Sequence, residues 1–241
     1  MKLKPRLAEV AKCILPESKV ADIGTDHAYL PVYLIKQGIC KKVIGVENNQ
    51  QNLDKAQKTV DLFNLASKIE LRLGNGLAAL NTDDAIDVIV IAGLGGRTTV
   101  KIMLAGAGSL NRYKYFVLQP MSDIYLLRRW LLAHGFRISH ERLAREKGHF
   151  YEIMIVQPGK QSISDPVMLE VGPGLVEAQD PLLVPYLEDK ITSCRRIIDA
   201  LSRAREGTSL KKRDYYLHKE ARLKEVLSLV TASSGSNEYD E

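Results

Sequence analysis

The chain has 241 residues, 45% hydrophobic and 26% charged, which suits one full α/β domain with an appendage. No apolar run approaches the roughly 20 residues of a membrane span, and the basic start Met1–Arg6 lacks the apolar core of a secretory signal, so the expected compartment is the cytoplasm. Cys13, Cys40 and Cys194 show no Cys-x-x-Cys spacing, which argues against a disulfide framework or a zinc site, and the net charge of +5 is compatible with a polyanionic partner without requiring one.

Leu7, Val10, Ala11 and Ile14 have helical spacing, closed by Pro16. Lys19–Gly24 reads as a buried strand, followed by a turn with one Gly and an apolar helix over Leu30–Ile35. Lys42–Glu47 is a second strand ending in an acid. Asn49–Asn64 is a polar helix with Leu53, Ala56, Val60 and Phe63 on its apolar side. Ile69–Leu73 alternates as a strand and ends in Gly74-Asn75-Gly76. Ala85–Ala92 is nearly all apolar, as a central parallel strand should be, and runs into Gly93-Leu94-Gly95-Gly96. A helix over Thr98–Ala105, a strand over Lys114–Gln119 and a helix over Asp123–His134 follow. Phe136–Leu143 and His149–Gln157 then predict an antiparallel hairpin.

Alternating strands and helices predict a Rossmann-like parallel sheet with helices on both faces. A terminal antiparallel hairpin is the mark of its class I methyltransferase version. Residues 1–159 are expected to form that domain. Residues 160–241 then hold a Pro-rich connector and two amphipathic helices. Leu183, Leu187, Ile191, Cys194, Ile198 and Leu201 recur at steps of four and three, and Tyr216, Leu223, Leu227 and Val230 continue the pattern. This predicts a coiled-coil-like helical hairpin, with Lys211, Lys212 and Arg213 in its turn and a flexible tail over 233–241.

In a doubly wound sheet the ligand sits beyond the carboxyl ends of the strands. Those ends carry Asp22, Gly24, Thr25 and Asp26, then Glu47 and Asn48, then Asn75 and Gly76, then Ala92, Gly93 and Gly95. The turn after the first strand should direct backbone N–H groups at a ligand. Its two carboxylates and single Gly depart from the three-glycine dinucleotide fingerprint. Acidic groups repel a pyrophosphate and suit a cation, and S-adenosylmethionine carries a sulfonium and an ammonium. Glu47 can accept both ribose hydroxyls, Asn75 can reach the adenine amino edge, and Gly93–Gly96 leave room beside the reactive methyl.

The segments Ala21–Pro31 (ADIGTDHAYLP), Gly45–Glu47 (GVE), Gly74–Leu77 (GNGL), Ile91–Gly96 (IAGLGG) and Leu118–Met121 (LQPM) stand in this order. With them, and with the connector Val171–Leu187, the chain resembles the bacterial tRNA (adenine-22-N1)-methyltransferases over nearly its whole length. That family usually has Met where Leu94 stands. The resemblance implies a class I domain with a C-terminal coiled coil, S-adenosylmethionine as cofactor, and tRNA methylated at N1 of an adenine. Asp26 is then the first candidate to stabilise the charge on the methylated base or to take its proton, with His27 second. Tyr29 is a candidate to stack on a flipped-out adenine. Lys2, Lys4, Arg6, Arg97, Arg128, Arg129, Arg195, Arg196, Arg203, Arg205 and Lys211–Arg213 are candidates for phosphate contacts, with Arg97 and Lys211–Arg213 preferred. No membrane partner and no metal is expected, and the oligomeric state is left open, a monomer included. The alternatives are methyl transfer to another RNA or a small amine, a non-catalytic RNA-binding protein, and a nicotinamide-dependent oxidoreductase.

Overall fold

Val- and Ile-rich runs with flanking turn residues become strands: β1 (Val20–Ile23), β2 (Val43–Glu47), β3 (Ile69–Leu73), β4 (Val88–Leu94), β5 (Tyr115–Pro120), β6 (Phe136–Glu146) and β7 (His149–Pro158). The structure is a computed structural model that describes residues 1–203 and 208–235. It divides into two units, Met1–Ser162 and Ile163–Glu241. All seven strands belong to the first and form one sheet in the order β3-β2-β1-β4-β5-β7-β6. β1 to β5 run parallel, while β7 is antiparallel to both β5 and β6. The order reverses at β1, with β2 on one side and β4 on the other, and this switch point opens a crevice at the strand ends.

Side chains alternate across the sheet with period two. Val88 and Val90 of β4 pack with α1 (Pro5–Lys12), α2 (Tyr29–Lys36) and α3 (Gln50–Leu62) through Val10, Val32 and Val60. Ile89 and Ile91 face the opposite side, with Met103 of α4 (Gly96–Ala105) and Leu127 and Leu131 of α5 (Ile124–Ala133). Every residue of β1 and β2 is buried. β4 starts at Val88 rather than Ala85, because Ala85 takes a left-handed φ of 49° that closes a 3-10 turn over Thr82–Asp84.

The hairpin is pinned to α5 by Arg128, expected as a phosphate contact but fully buried. Its guanidinium donates to Glu141 Oε1 at 2.6 Å and to Glu152 Oε2 at 2.6 Å. Both carboxylates are themselves buried, so the cluster excludes any contact with RNA. The hairpin and β5 together fix α1. Glu146 Oε2 accepts the backbone N–H of Arg6 at 3.2 Å, at the helix start, while Tyr115 Oη accepts the N–H of Leu15 at 2.9 Å beyond its end.

In the second unit, α6 (Pro166–Val171) and α7 (Pro173–Glu177) occupy the stretch expected as a connector. The prolines open these helices instead of breaking them, because at the first helical position their missing N–H has no partner to lose. α8 (Leu183–Arg203) and α9 (Thr208–Gly235) pack together, burying Leu187, Ile191 and Cys194 of α8 and Leu223 and Val226 of α9. Lys211, Lys212 and Arg213 lie inside α9 rather than in a turn, in keeping with the high helix propensity of Lys and Arg. The helix also continues to Gly235, into the expected tail, and residues 236–241 and Arg205 lie outside the described residues. Glu220, nearly buried, accepts from Arg195 Nε at 2.9 Å and Lys224 Nζ at 2.6 Å; Lys224 and then Arg195 hold its carboxyl below the usual range. Among the described residues no helix is long and apolar enough to cross a membrane.

Candidate active site

A cleft of about 1200 Å³ opens over the carboxyl ends of β1, β2 and β4. Asp22, Gly24, Thr25, Asp26, His27 and Tyr29 line it from β1 and its turn. Glu47, Asn48, Asn75, Gly76, Ala92 and Gly93 line it from the other strand ends. Gly95 does not: it caps the start of α4, where an added Cβ would sit 3.1 Å from Ser122 Oγ. Arg97 also lies outside, largely exposed and paired with Asp123 at 3.1 Å.

The β1–α2 turn differs from expectation in what it offers a ligand. The N–H groups of Gly24 and Thr25 both bond the carbonyl of Val46, at 2.8 and 3.1 Å. The N–H of Asp26 bonds Glu47 Oε2 at 3.1 Å. The turn therefore directs its backbone donors at β2, and carboxylates remain to face the cleft. Gly24, Asp26 and Ala28 have φ of 78°, 48° and 54°. Two of the three are non-Gly residues in a left-handed conformation, which costs energy and clusters at functional sites.

Asp22 is 5% exposed, and its Oδ2 accepts the Thr25 hydroxyl at 2.8 Å. It thus ties its own turn and caps no helix. Burial pushes its carboxyl up to about 6, the Thr25 hydroxyl works the other way, Glu47 adds to the rise and Arg6 opposes it. A buried carboxylate without full compensation favours a cationic ligand. Glu47 is 6% exposed. Its Oε1 accepts the N–H groups of Asn48 and Asn49, at 2.9 and 3.2 Å, and these three backbone bonds fix the carboxylate at the end of β2. Each oxygen keeps acceptor capacity for hydroxyl donors. The donor set thus fits a cationic nucleoside, with Asp22 placed for a positive group and Glu47 for a ribose.

His27 and Tyr29 stack, with ring centroids 5.1 Å apart and planes 5° from parallel. His27 Nε2 lies 3.8 Å from Asp26 Oδ2, too far for a hydrogen bond. Tyr29 is 44% exposed, so its ring is not core packing. The pair forms an aromatic ledge beside a largely exposed carboxylate.

β4 ends in a bulge at Gly93, with φ of 84°, and its N–H bonds Gln119 Oε1 at 3.1 Å. An added Cβ there would lie 3.4 Å from Arg6 Nη1. Here sequence reasoning missed the cleft's fourth wall, because Lys2, Lys4 and Arg6 line it. Their charge was legible, but their place depends on contacts of α1 with β5 and β6, residues more than a hundred positions away. Lys101 and Asn52 also line the cleft. Cys13, Cys40 and Cys194 are buried, and burial pushes the Cys13 and Cys40 thiols up to about 11, far from nucleophilic use. Among the described residues no group of three or more His, Cys, Asp or Glu side chains could hold a metal ion.

A family model described as tRNA (adenine(22)-N(1))-methyltransferase matches residues 20–225. The Bacillus subtilis tRNA (adenine(22)-N(1))-methyltransferase is 29% identical over 218 residues, 88% of this chain and 91% of that protein. A Streptococcus pneumoniae structure in complex with S-adenosyl-L-methionine is 34% identical, with a TM-score of 0.83 over 94% of this chain and 100% of that one. A Mycoplasma capricolum structure with S-adenosyl-homocysteine is 28% identical, with a TM-score of 0.75 over 96% and 99%. With sequence model, curated relative and solved structures in agreement over nearly the whole length, the chain belongs to the tRNA (adenine(22)-N(1))-methyltransferase family.

Proposed function

We propose that this protein transfers a methyl group from S-adenosylmethionine to N1 of adenine 22 in tRNA. The observation that carries the reading is the pair of buried carboxylates, Asp22 and Glu47, at adjacent strand ends in a cleft large enough for a nucleoside and a second base. Bound there, S-adenosylmethionine supplies a methyl on a cationic sulfur to a nucleophile with an in-plane lone pair, as N1 of adenine has. Asp22 holds the positive amino-acid end, Glu47 the ribose, and Asn75 and Gly76 the cofactor's adenine edge.

The chain's own residues supply alignment and charge. The His27–Tyr29 ledge stacks on the target base and excludes water from one side of it, which favours direct displacement. Asp26 offers its carboxylate to the cationic methylated base and can take a proton from the exocyclic amine. The first unit carries this chemistry. The second presents Lys211 and Lys212, both exposed, to tRNA phosphates, with Arg213 partly buried beside them. The compartment that goes with this reading is the cytoplasm.

The test is transfer of labelled methyl to unmodified tRNA, with wild type beside Asp26→Ala and Glu47→Ala. The expected result is 1-methyladenosine with wild type and loss of roughly 100-fold or more for Asp26→Ala, the scale of one positioned acid–base group. Label on a different nucleoside, or on small amines only, would redirect the substrate assignment.

A further inference from the structure

The methyl-transfer cleft occupies the carboxyl ends of the strands. A second hollow, of about 780 Å³, lies at the amino ends of β1, β2 and β3. Lys19, Lys42 and Lys68 line it, and each stands immediately before one of these strands. β1 pairs with β2 at Val20 and Val43, and β2 with β3 at Val43 and Ile69, so the three preceding lysines stand side by side. Neighbouring strands are about 4.8 Å apart. The backbone fixes both ends of the row: the N–H of Lys19 donates to Asp87 Oδ2 at 2.9 Å, and the carbonyl of Lys68 accepts the N–H of Val43 at 3.0 Å.

The acids at this edge are engaged by other cations. Arg72 donates twice to Asp84, at 2.6 and 2.7 Å, and once to Glu70, at 2.7 Å. Glu17 pairs with Lys41, and Asp87 with Lys114 at 2.9 Å. Lys19, Lys42 and Lys68 are exposed and make no ion pair or side-chain hydrogen bond among the described residues. Three like charges on adjacent strand starts repel one another, and a run of phosphates would relieve that repulsion. We propose that this lysine row is a docking surface for the sugar–phosphate backbone of tRNA, at a stretch remote from the base being methylated. The inference rests on the proposed methylation of tRNA. Two observations favour an RNA backbone over a small phosphorylated ligand. Lysine is a flexible, non-directional cation, and none of the three side chains is held by a neighbour, whereas a small-molecule site needs precisely placed polar groups. A path also joins the two sites along one edge of the sheet. α3 starts beside the cleft, which Asn52 lines, and its 13 residues lead about 20 Å back to the start of β3, the edge strand.

The experiment neutralises the row as Lys19→Gln, Lys42→Gln and Lys68→Gln together. tRNA affinity is expected to fall roughly 10- to 100-fold at about 0.1 M salt, and the log–log salt slope to flatten by roughly two to three. KM for tRNA should rise while kcat and S-adenosylmethionine affinity stay as in wild type. A second measurement needs no variant to fold. Acetylation of wild-type lysines, read by mass spectrometry, should slow at Lys19, Lys42 and Lys68 when tRNA is bound, and by more than at Lys147 on the β6–β7 turn. Protection no greater than that of Lys147, or unchanged tRNA affinity and salt slope in the triple variant, overturns the inference. Tripolyphosphate binding that the triple variant loses, beside unchanged tRNA affinity, assigns the row to a small polyanion and overturns it too. If wild type neither binds nor methylates tRNA, the proposed function falls and this inference with it; if wild type methylates tRNA and the triple variant matches it, only this inference falls.

Discussion

Lowering the pH should weaken cofactor binding through Asp22. Its carboxyl is pushed from 3.8 up to about 6, chiefly by burial. Only the ionised form attracts an ammonium or sulfonium. At about pH 7.5 the carboxylate is ionised and affinity is at its plateau. At about pH 5 roughly one molecule in eleven is ionised, so Kd should rise about tenfold, or about 1.4 kcal/mol. The same shift has the opposite sense for the free protein. A raised acid favours folding below its unfolded value, and that contribution is lost as pH rises through about 6. Ionised Asp22 then costs the empty protein up to about 3 kcal/mol at neutral pH. Asp22→Asn should therefore raise the melting temperature of the free protein at neutral pH, weaken S-adenosylmethionine binding, and remove the pH dependence. Calorimetric titration in buffers of different ionisation enthalpy counts the proton released on binding at about pH 5.5. A flat Kd from about pH 5 to 7.5 with wild type would refute the reasoning, as would an unchanged slope in Asp22→Asn.

Glu47→Gln puts an amide where three backbone N–H groups converge; it should cost about 1–3 kcal/mol in denaturant unfolding and weaken cofactor binding tenfold or more. Gly93→Ala forces a side chain into a φ of 84°, 3.4 Å from Arg6 Nη1; a loss of about 1 kcal/mol or more in stability, with reduced methyl transfer, is expected from thermal melts and kinetics. Arg128→Met leaves Glu141 and Glu152 buried without their cation and should destabilise by about 3–5 kcal/mol, read as a lower urea midpoint. Neutralising Lys211, Lys212 and Arg213 together should weaken tRNA binding and flatten its salt dependence, each lost phosphate contact reducing the log–log slope by about 0.7–0.9. Unchanged affinity at two salt concentrations would count against that contact.

The parallel sheet was legible because its signal is local. Val88–Ile91 and Val43–Val46 are short apolar runs bounded by turn residues, as buried strands are, and Glu47 stands where the second of them stops, while Asp22 is the last residue but one of β1. The chemistry of the β1 turn was half legible. Its acids could be read, but the use of its N–H groups on Val46 and Glu47 depends on the neighbouring strand. Arg6 was visible as a charge and not as a cleft residue, since Tyr115 and Glu146 carry α1 into position from distant parts of the chain. Pro166 and Pro173 misled because a proline that breaks a helix and one that begins it look alike in a composition window. Arg128 misled because a helix-borne arginine carries no local sign of the two glutamates that bury it.

Mapping the modified base distinguishes methylation of adenine 22 from every other outcome. tRNA transcripts incubated with the protein and S-adenosylmethionine should stop reverse transcription at adenine 22, because N1-methylation blocks its pairing edge. Transcripts with guanine at that position should show neither stop nor methyl uptake. A stop at another adenine, or full methylation of the guanine-22 transcript, would contradict the account.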